Sequence, residues 1–385
     1  MNTAYLIPHG AVRTSAMGYA ARPATKAEID VMRSLVKEGM EDGAFGLSTG
    51  LAYVPMSSSV TGEVVEICDV VSRHGGFLAS HLRNYREGIE DSIDEMVTAA
   101  KETGIPVQVS HYAASGDYHI GHGKQFLQYI IDAREQGCDL TYDSYPYEFS
   151  GGRLRNTIPA KYHNDGIEGL VRCLKDPGLR DDLRREVGVL TNYDLTKLVI
   201  ISVANPDLRH LVGKSLPEGA KEAGKDILDF LCDTLSQDPS IGHANFVGNR
   251  EEMKILAKSP LQMVGSDSSD VTPGRNRAHP RLYGTFTRFL RMYVKETPLL
   301  TWEQAIWKMT GFPAWRLGLS TRGNVRPGFS ADIVVLDPSD VTDRATLESP
   351  ELTSKGIDWV LVNGVVEVAQ GAVTGNLGGV VLRSC

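Results

Sequence analysis

The chain has 385 residues and a mass of 42.0 kDa, which exceeds the roughly 100–200 residues of one simple domain and suits a barrel of about 250 residues with additions, or two domains. Its 42% hydrophobic and 23% charged residues are typical of a folded globular protein and exclude wholesale disorder. Lysine and arginine number 40 against 48 acidic residues, a formal net charge of −8. Because no basic surface is available to neutralise phosphates, we expect neither nucleic acid nor a membrane as a partner.

The cysteine pattern and the amino terminus indicate a reducing compartment. The five cysteines are odd in number, widely spaced and without a CxxC pair, which disfavours a disulfide framework or a zinc ribbon. The opening residues, MNTAYLIPHG, have no basic segment typical of a signal peptide, and no stretch reaches the ~18 apolar residues that span a bilayer. We therefore expect a cytoplasmic protein.

Short apolar runs alternate with helix-period segments through the first 150 residues. The runs AYLIPHG, GAFGLSTGL, GGFLASHLR, IPVQVSHYA and CDLTYDSYPY show little polar alternation, which is typical of strands buried on both faces. Between them, apolar residues recur at helical spacing in 27–40, 89–100 and 126–133, and Thr25 with Glu28 matches a capping box. The alternation predicts βα units and a parallel sheet.

Polar residues mark the ends of five of these strands. His9, Thr49, His81, His111 and Asp143 are separated by 40, 32, 30 and 32 residues, close to the roughly 31 residues per unit of an eight-fold barrel. A doubly wound open sheet has units of similar length. Polar residues at the same end of successive strands favour the barrel, because all its strand ends converge on one mouth.

Four regions follow from the change of pattern along the chain. After the fifth strand the alternation stops, and the next strand-like run with a polar end, LQMVGSD, comes only at Asp267. The intervening segment is either a lid over the mouth or a surface elaboration. The last segment reads as part of a small β-sandwich, with a tight hairpin turn at Asn363-Gly364. The predicted regions are 1–150 (barrel strands), 151–260 (insert), 261–325 (last barrel strand and helices) and 326–385 (sandwich).

Two histidines and one aspartate are the candidate catalytic groups. His81 and His111 each close an apolar strand as Ser-His, and their spacing makes them neighbours on adjacent parallel strands, where imidazoles can share a divalent metal such as zinc. The alternative is a pair of hydrogen-bonded histidines at a barrel rim. Asp267 ends the last strand and could move protons beside a metal-bound water; its alternative is a loop-capping aspartate.

Other catalytic classes lack their motifs. There is no GxGxxG, no GxxxxGK[ST] and no HExxH, and GLSTG is not the GxSxG of a serine hydrolase. His119 and His122 lie in the glycine-rich run DYHIGHGK, where we expect exposed rather than metal-binding side chains.

Ten segments resemble the N-acyl-D-amino-acid deacylases (D-aminoacylases) of the amidohydrolase superfamily, in family order along the whole chain. They are PHGAVR…MG, EDGAFGLSTGLAYVP, ASHLRN, PVQVSHY, YDSYPYE, MVGSD, HPRLYGTFTRFL, KMTGFPAWRLGL, RPGFSADIVVLDP and VLVNGVVEV. The resemblance implies a TIM-like α/β barrel of the amidohydrolase type with part of a small β-sandwich, and zinc at its mouth.

The resemblance also assigns roles to residues. His81 and His111 match the family's two histidine ligands, and Asp267 matches the aspartate that binds metal loosely and acts as acid and base. Tyr145 and Arg281 match residues that hold the substrate's carboxylate. The implied reaction is zinc-dependent hydrolysis of N-acyl-D-amino acids. A cyclic-amide hydrolase like the dihydroorotases and hydantoinases, or a non-catalytic homologue, are the alternatives.

Two departures from the family pattern stand out. The family's first two barrel strands carry HxH and a zinc-binding cysteine, and this sequence contains neither ahead of its first strand. We expect truncation, a split enzyme completed by a partner chain, or a non-catalytic remnant, and an isolated chain that is poorly stable and weakly active or inactive. Where many relatives carry lysine two residues after the second histidine, this chain has Ala113.

Overall fold

The computed structural model describes residues 1–114, 119–163, 165–190, 193–246, 248–268 and 279–384. Its strands are β1 (Thr3–Ala4), β2 (Ile7–Pro8), β3 (Gly46–Gly50), β4 (Phe77–His81), β5 (Val107–Val109), β6 (Leu140–Ser144), β7 (Ser150–Arg153), β8 (Leu198–Ser202), β9 (Gly242–Asn245), β10 (Gln262–Val264), β11 (Ile333–Leu336), β12 (Ile357–Val362), β13 (Val365–Ala369), β14 (Ala372–Val373) and β15 (Val381–Leu382).

The helices are α1 (His9–Met17), α2 (Lys26–Glu41), α3 (Thr61–Arg73), α4 (Ile89–Thr103), α5 (Gly123–Glu135), α6 (Gly166–Lys175), α7 (Pro177–Leu190), α8 (Leu216–Glu222), α9 (Ile227–Gln237), α10 (Arg250–Lys258), α11 (Arg281–Leu290), α12 (Trp302–Met309) and α13 (Gly311–Arg316). No helix within the described ranges combines the length and apolar character needed to cross a membrane.

Six parallel strands form the central sheet, in the order β10-β6-β5-β4-β3-β2. This order follows the chain without the reversal of a doubly wound sheet, so the barrel-type arrangement that the strand-end residues favoured is correct. Within the described residues, the pairing ends at β2 on one side and at β10 on the other. Helices pack against these strands around a core that contains Met32, Val36, Leu47, Ile67, Leu78 and Met96.

Local sequence signals set the start of several helices. Before α2, the Thr25 hydroxyl accepts from the Glu28 backbone N–H, and the Glu28 carboxylate accepts from the Thr25 backbone N–H at 2.7 Å, which confirms the predicted capping box. Helix α4 ends at Gly104, whose φ of +70° suits glycine. These caps fix where the chain turns back toward the sheet.

The segment between β6 and β10 forms a second layered unit. Its strands make an antiparallel sheet in the order β7-β9-β8, so β9 is central, and helices α6 to α9 cover it with a hydrophobic core of their own. In the register, His243 of β9 lies between Gly152 of β7 and Ile200 of β8.

The carboxyl-terminal strands β11 to β14 form an antiparallel sheet, and β1 pairs in parallel with β15. Asn363 and Gly364 between β12 and β13 have φ values of +51° and +81°. Two successive positive φ values define the tight hairpin turn that the Asn-Gly pair predicts.

Candidate active site

A cavity of about 840 Å³ opens at the carboxyl ends of the central strands. Of the five predicted site residues, His81, His111, Tyr145 and Asp267 line it, and Arg281 lies buried behind Asp267 and Tyr145. Residues of the β7–β9 unit form another part of the wall. The structure therefore brings all five residues to one region of the molecule.

His81 and His111 are in direct contact. Nδ1 of His81 lies 2.7 Å from Nε2 of His111, and their rings meet edge to face with centroids 4.5 Å apart. The rings of Tyr53 and Tyr85 pack against His81 at centroid distances of 4.4 and 4.9 Å. Burial, together with the neighbouring His111, holds the pKa of His81 well below its ordinary value, so its imidazole is neutral near pH 7.

Asp143 fixes the backbone that carries His111. Its carboxylate accepts from the His111 backbone N–H at 2.8 Å and from Nε2 of Gln108 at 3.0 Å. Burial raises the pKa of Asp143, although these two hydrogen bonds oppose the shift. The sequence marks Asp143 as a strand end, but its partners are side-chain and backbone groups on a neighbouring strand, which spacing alone does not reveal.

The two imidazole nitrogens suit a shared metal ion. Tetrahedral zinc with Zn–N bonds of about 2.0–2.1 Å holds two such nitrogens about 3.3 Å apart. The two histidine nitrogens, which lie 2.7 Å apart, would therefore have to move only slightly apart to bind the ion. Asp267, the predicted third ligand, lines the same cavity. In the part of the chain that the structure describes, no three His, Cys, Asp or Glu side chains are grouped closely enough to hold a metal together.

Asp267 pairs with a buried arginine. Its Oδ2 lies 2.9 Å from Nη1 of Arg281, and the Arg281 guanidinium lies over the ring of Tyr145, 4.7 Å from the centroid. Burial raises the pKa of Tyr145 to about 12, so its hydroxyl stays protonated. Nε of Arg281 is buried and donates to no group that the structure describes. A buried cation with a spare donor beside a phenol suits a carboxylate ligand.

His279, which the sequence reasoning missed, positions the arginine. Its Nδ1 accepts from the Arg281 backbone N–H at 3.1 Å, so Nε2 carries the proton and donates to the Phe149 carbonyl at 3.1 Å. Burial, with Arg281 adding to it, lowers the pKa of His279 to about 3 and keeps the ring neutral. The sequence signal that could have identified His279 is the histidine of the segment HPRLYG.

The expectation for the glycine-rich run is wrong for His119. Its side chain is buried, with its ring edge to face on Phe126 at 4.7 Å, because the start of α5 folds over it. His122 is exposed, as expected. Ala113, the departure from the family pattern, lines the cavity near His111.

Comparisons with known proteins identify the family of the chain. Residues 224–368 match a model of the amidohydrolase family. The chain is 34% identical over 382 residues to the D-aminoacylase of Alcaligenes xylosoxydans xylosoxydans, covering 99% of this chain and 70% of that protein. It is also 34% identical to the N-acyl-D-glutamate deacylase of the same organism over 368 residues, or 94% of this chain and 66% of that protein.

Solved structures extend the match to the fold. The N-acyl-D-glutamate deacylase of Bordetella bronchiseptica, complexed with zinc and a phosphonate that mimics its tetrahedral intermediate, matches with a TM-score of 0.83 at 32% identity, over 100% of this chain and 72% of that one. A dihydropyrimidinase from Brevibacillus agri matches with a TM-score of 0.56 at only 12% identity, which shows a shared fold alone. The predicted TIM-like barrel of the amidohydrolase type is thus confirmed, and the chain belongs to the N-acyl-D-amino-acid deacylase (D-aminoacylase) family of amidohydrolases.

Proposed function

We propose that this protein is a metal-dependent hydrolase that cleaves the amide bond of N-acyl-D-amino acids, giving a carboxylate and a D-amino acid. The observation that supports it best is the joint position of the His81–His111 pair and the Asp267–Arg281 pair on one cavity. Identity of 34% to a D-aminoacylase over nearly the whole chain gives the substrate class.

The metal that we propose is zinc, with His81 and His111 as two ligands and Asp267 as a third. Neutral imidazole nitrogens are typical zinc ligands, and the burial that lowers the pKa of His81 keeps its nitrogen unprotonated. When bound, zinc supplies a Lewis acid that polarises the amide carbonyl and lowers the pKa of water. A related deacylase structure contains zinc.

Asp267 is the proposed acid and base. Its carboxylate takes a proton from the water that adds to the carbonyl carbon, then gives that proton to the amide nitrogen as the C–N bond breaks and nitrogen keeps the bonding pair. Arg281 keeps the carboxylate oriented through the 2.9 Å contact. Tyr145 on the cavity wall and the Arg281 guanidinium behind it are the proposed site for the carboxylate of the amino acid.

We also propose a reducing, cytoplasmic setting and no nucleic-acid or membrane partner. Four cysteines in the described ranges are free thiols, three of them buried. The formal charge of −8 disfavours polyanions.

The test is hydrolysis by the zinc-loaded 385-residue chain. We expect release of methionine from N-acetyl-D-methionine, with little from the L-enantiomer, hydantoin or dihydroorotate. Asp267→Asn should lower kcat by about 10²–10⁴ because the proton carrier is lost, and its zinc content, measured by mass spectrometry, should fall less than that of His81→Asn because both imidazole ligands remain. The exposed His210 gives the control His210→Ala, which should behave as wild type.

Two results would contradict the proposal. Turnover of the cyclic amides with none of the N-acyl-D-amino acids would assign the chain to the other amidohydrolase class. A folded chain that binds no zinc and hydrolyses nothing would make it a non-catalytic homologue.

A further inference from the structure

Two buried polar side chains of β9 face the cavity at a distance from the predicted site residues. His243 and Asn245 are two residues apart on one strand, so they lie on the same face of the sheet. Both line the cavity, and their exposed fractions are only 1% and 7%. Neither has a role in the reaction described above.

Each of these side chains has a buried polar atom without a partner. Nδ1 of His243 and Oδ1 of Asn245 form no hydrogen bond with any group that the structure describes. Buried polar atoms in folded proteins are nearly always hydrogen-bonded, because an unpaired one has lost water without replacement. Two cavity-lining residues that each hold such an atom therefore suit a polar ligand that supplies the missing partners.

Gly152 and Tyr193 pack closely on the ring of His243. Opposite His243, β7 has Gly152, where even a Cβ atom would lie 3.2 Å from Cε1 of the histidine. The ring of Tyr193 meets the His243 ring edge to face, with centroids 5.4 Å apart and an interplanar angle of 87°. Glycine on one side and an aromatic ring on the other fix the orientation of the His243 ring, and neither offers a polar partner to its Nδ1.

The pair is electrically neutral and lines the same cavity as the proposed reaction centre. Burial lowers the pKa of His243 to about 4, so its imidazole is uncharged at pH 7. Tyr193, whose ring packs on His243, lines the same cavity as Tyr53 and Asp267. A substrate held at Asp267 can therefore extend to the pair on β9.

We propose that His243 and Asn245 form a polar subsite that binds a carboxamide group of the substrate. A carboxamide has both a donor and an acceptor: its NH₂ donates to Oδ1 of Asn245, and its carbonyl accepts from the His243 ring. A carboxylate has acceptors only and would leave Oδ1 unpaired, and an alkyl group would leave both atoms unpaired. The inference rests on the proposed function and narrows its substrates to those with a neutral amide.

Two positions of the amide are compatible with this chemistry, and the experiment separates them. The first arm compares kcat/KM for N-acetyl-D-glutamine, N-acetyl-D-glutamate and N-acetyl-D-leucine, which places the amide in the side chain. The second compares N-succinamoyl-D-leucine with N-(4-methylpentanoyl)-D-leucine, which places it in the acyl group. We expect the amide to be preferred by at least about tenfold in one arm, as for other unpaired buried groups.

Variants test the residues themselves. Asn245→Leu and His243→Phe should each reduce the amide preference to within about threefold. Both should leave the stability to urea unchanged or higher, because each removes an unpaired buried atom. The matched control is Thr234→Val in α9, a buried polar side chain whose hydroxyl donates to the Phe230 carbonyl at 2.6 Å outside the cavity. The control should keep the amide preference.

Equal rates for all side chains and acyl groups, or a preference for N-acetyl-D-glutamate, would overturn the subsite. If zinc is bound and no N-acyl-D-amino acid is hydrolysed, the proposed function fails, and calorimetric titration with N-acetyl-D-glutamine then decides the subsite by itself. Binding that Asn245→Leu abolishes and Thr234→Val keeps would support it. Absence of binding to the wild type would overturn it.

Discussion

His111 and Asp267 both have left-handed backbone conformations, with φ of +36° and +45°. Such values cost a non-glycine residue about 1–3 kcal/mol and persist only where the surroundings hold them. Here Asp143 holds the backbone N–H of His111, and Arg281 holds the carboxylate of Asp267. The strain lies at the ends of β5 and β10, where it directs two reactive side chains into the cavity.

Lys308 is a buried lysine on α12, away from the cavity. Its ammonium donates to the carbonyls of Ser259 and Gln262, the latter at 3.1 Å, and so joins α12 to the chain entering β10. Burial lowers the pKa of Lys308 to about 8. The side chain therefore binds its proton less tightly in the folded state than in the unfolded chain.

This difference predicts how stability depends on pH. Between about pH 8 and pH 10.5 the unfolded chain binds more protons at this site, so the free energy of unfolding rises with pH. Across that range the free energy of unfolding of the wild type should rise by on the order of 3 kcal/mol relative to that of Lys308→Met. Urea denaturation at about pH 7 and about pH 10 measures the difference. The exposed Lys258 on α10 provides the control Lys258→Met. A difference between wild type and Lys308→Met that stays constant with pH would contradict the prediction.

At the scale of elements, a buried ionic network joins α1, β3 and α3. Glu63 accepts from Arg13, and its Oε1 lies 3.0 Å from Nε2 of His9, whose Nδ1 contacts the Thr49 hydroxyl at 2.9 Å. His9, Arg13 and Glu63 are almost completely buried. Burial acts to raise the pKa of Glu63, but the hydrogen bonds from His9 and Arg13 outweigh it, and the net shift is downward.

Glu63→Gln should destabilise the protein by about 3–5 kcal/mol, because the buried guanidinium of Arg13 loses its counter-charge. Urea denaturation near pH 7 measures this. Since the pKa of Glu63 is lowered on folding, its contribution is lost as the pH falls through the folded-state value. The control is Glu66→Gln on the same helix, where a half-exposed carboxylate pairs with Arg33. This variant should lower the free energy of unfolding by only about 0–1 kcal/mol. Equal effects of the two variants would show that the network adds nothing beyond a surface ion pair.

The elements that sequence predicted best are those with local causes. The strand ends at Thr49, His81 and Asp143 and the capping box at Thr25 depend on a few neighbouring residues, and the structure confirms them. The partners of His9 and of Arg281 are 54 and 14 residues away, respectively, in the chain and meet only through tertiary packing. No periodicity encodes such contacts, so the ionic network and the Asp267–Arg281 ion pair could not be predicted.

At the scale of the whole molecule, one cavity joins the central sheet to the β7–β9 unit. His81 and Asp267 come from the carboxyl ends of central strands, and Tyr193 and His243 come from the unit between β6 and β10. The sequence left open whether segment 151–260 forms a lid over the barrel mouth or a surface elaboration. Its residues contribute to the cavity wall because β9 is central in its own sheet and presents one face to the strand ends.

Zinc should stabilise the entire fold, because an ion that binds only the native state shifts the folding equilibrium. Free zinc at about 100 times its dissociation constant adds about 2.7 kcal/mol to the free energy of unfolding. This corresponds to a rise in Tm of at least ~2 °C. The rise, measured by thermal denaturation of chelator-treated protein with and without zinc, should disappear in His81→Asn, which removes one imidazole ligand. His210→Ala, an exposed histidine of the β7–β9 unit, should keep it. An equal rise in His81→Asn would place the zinc elsewhere and would remove the His81–His111 pair from the proposed metal site.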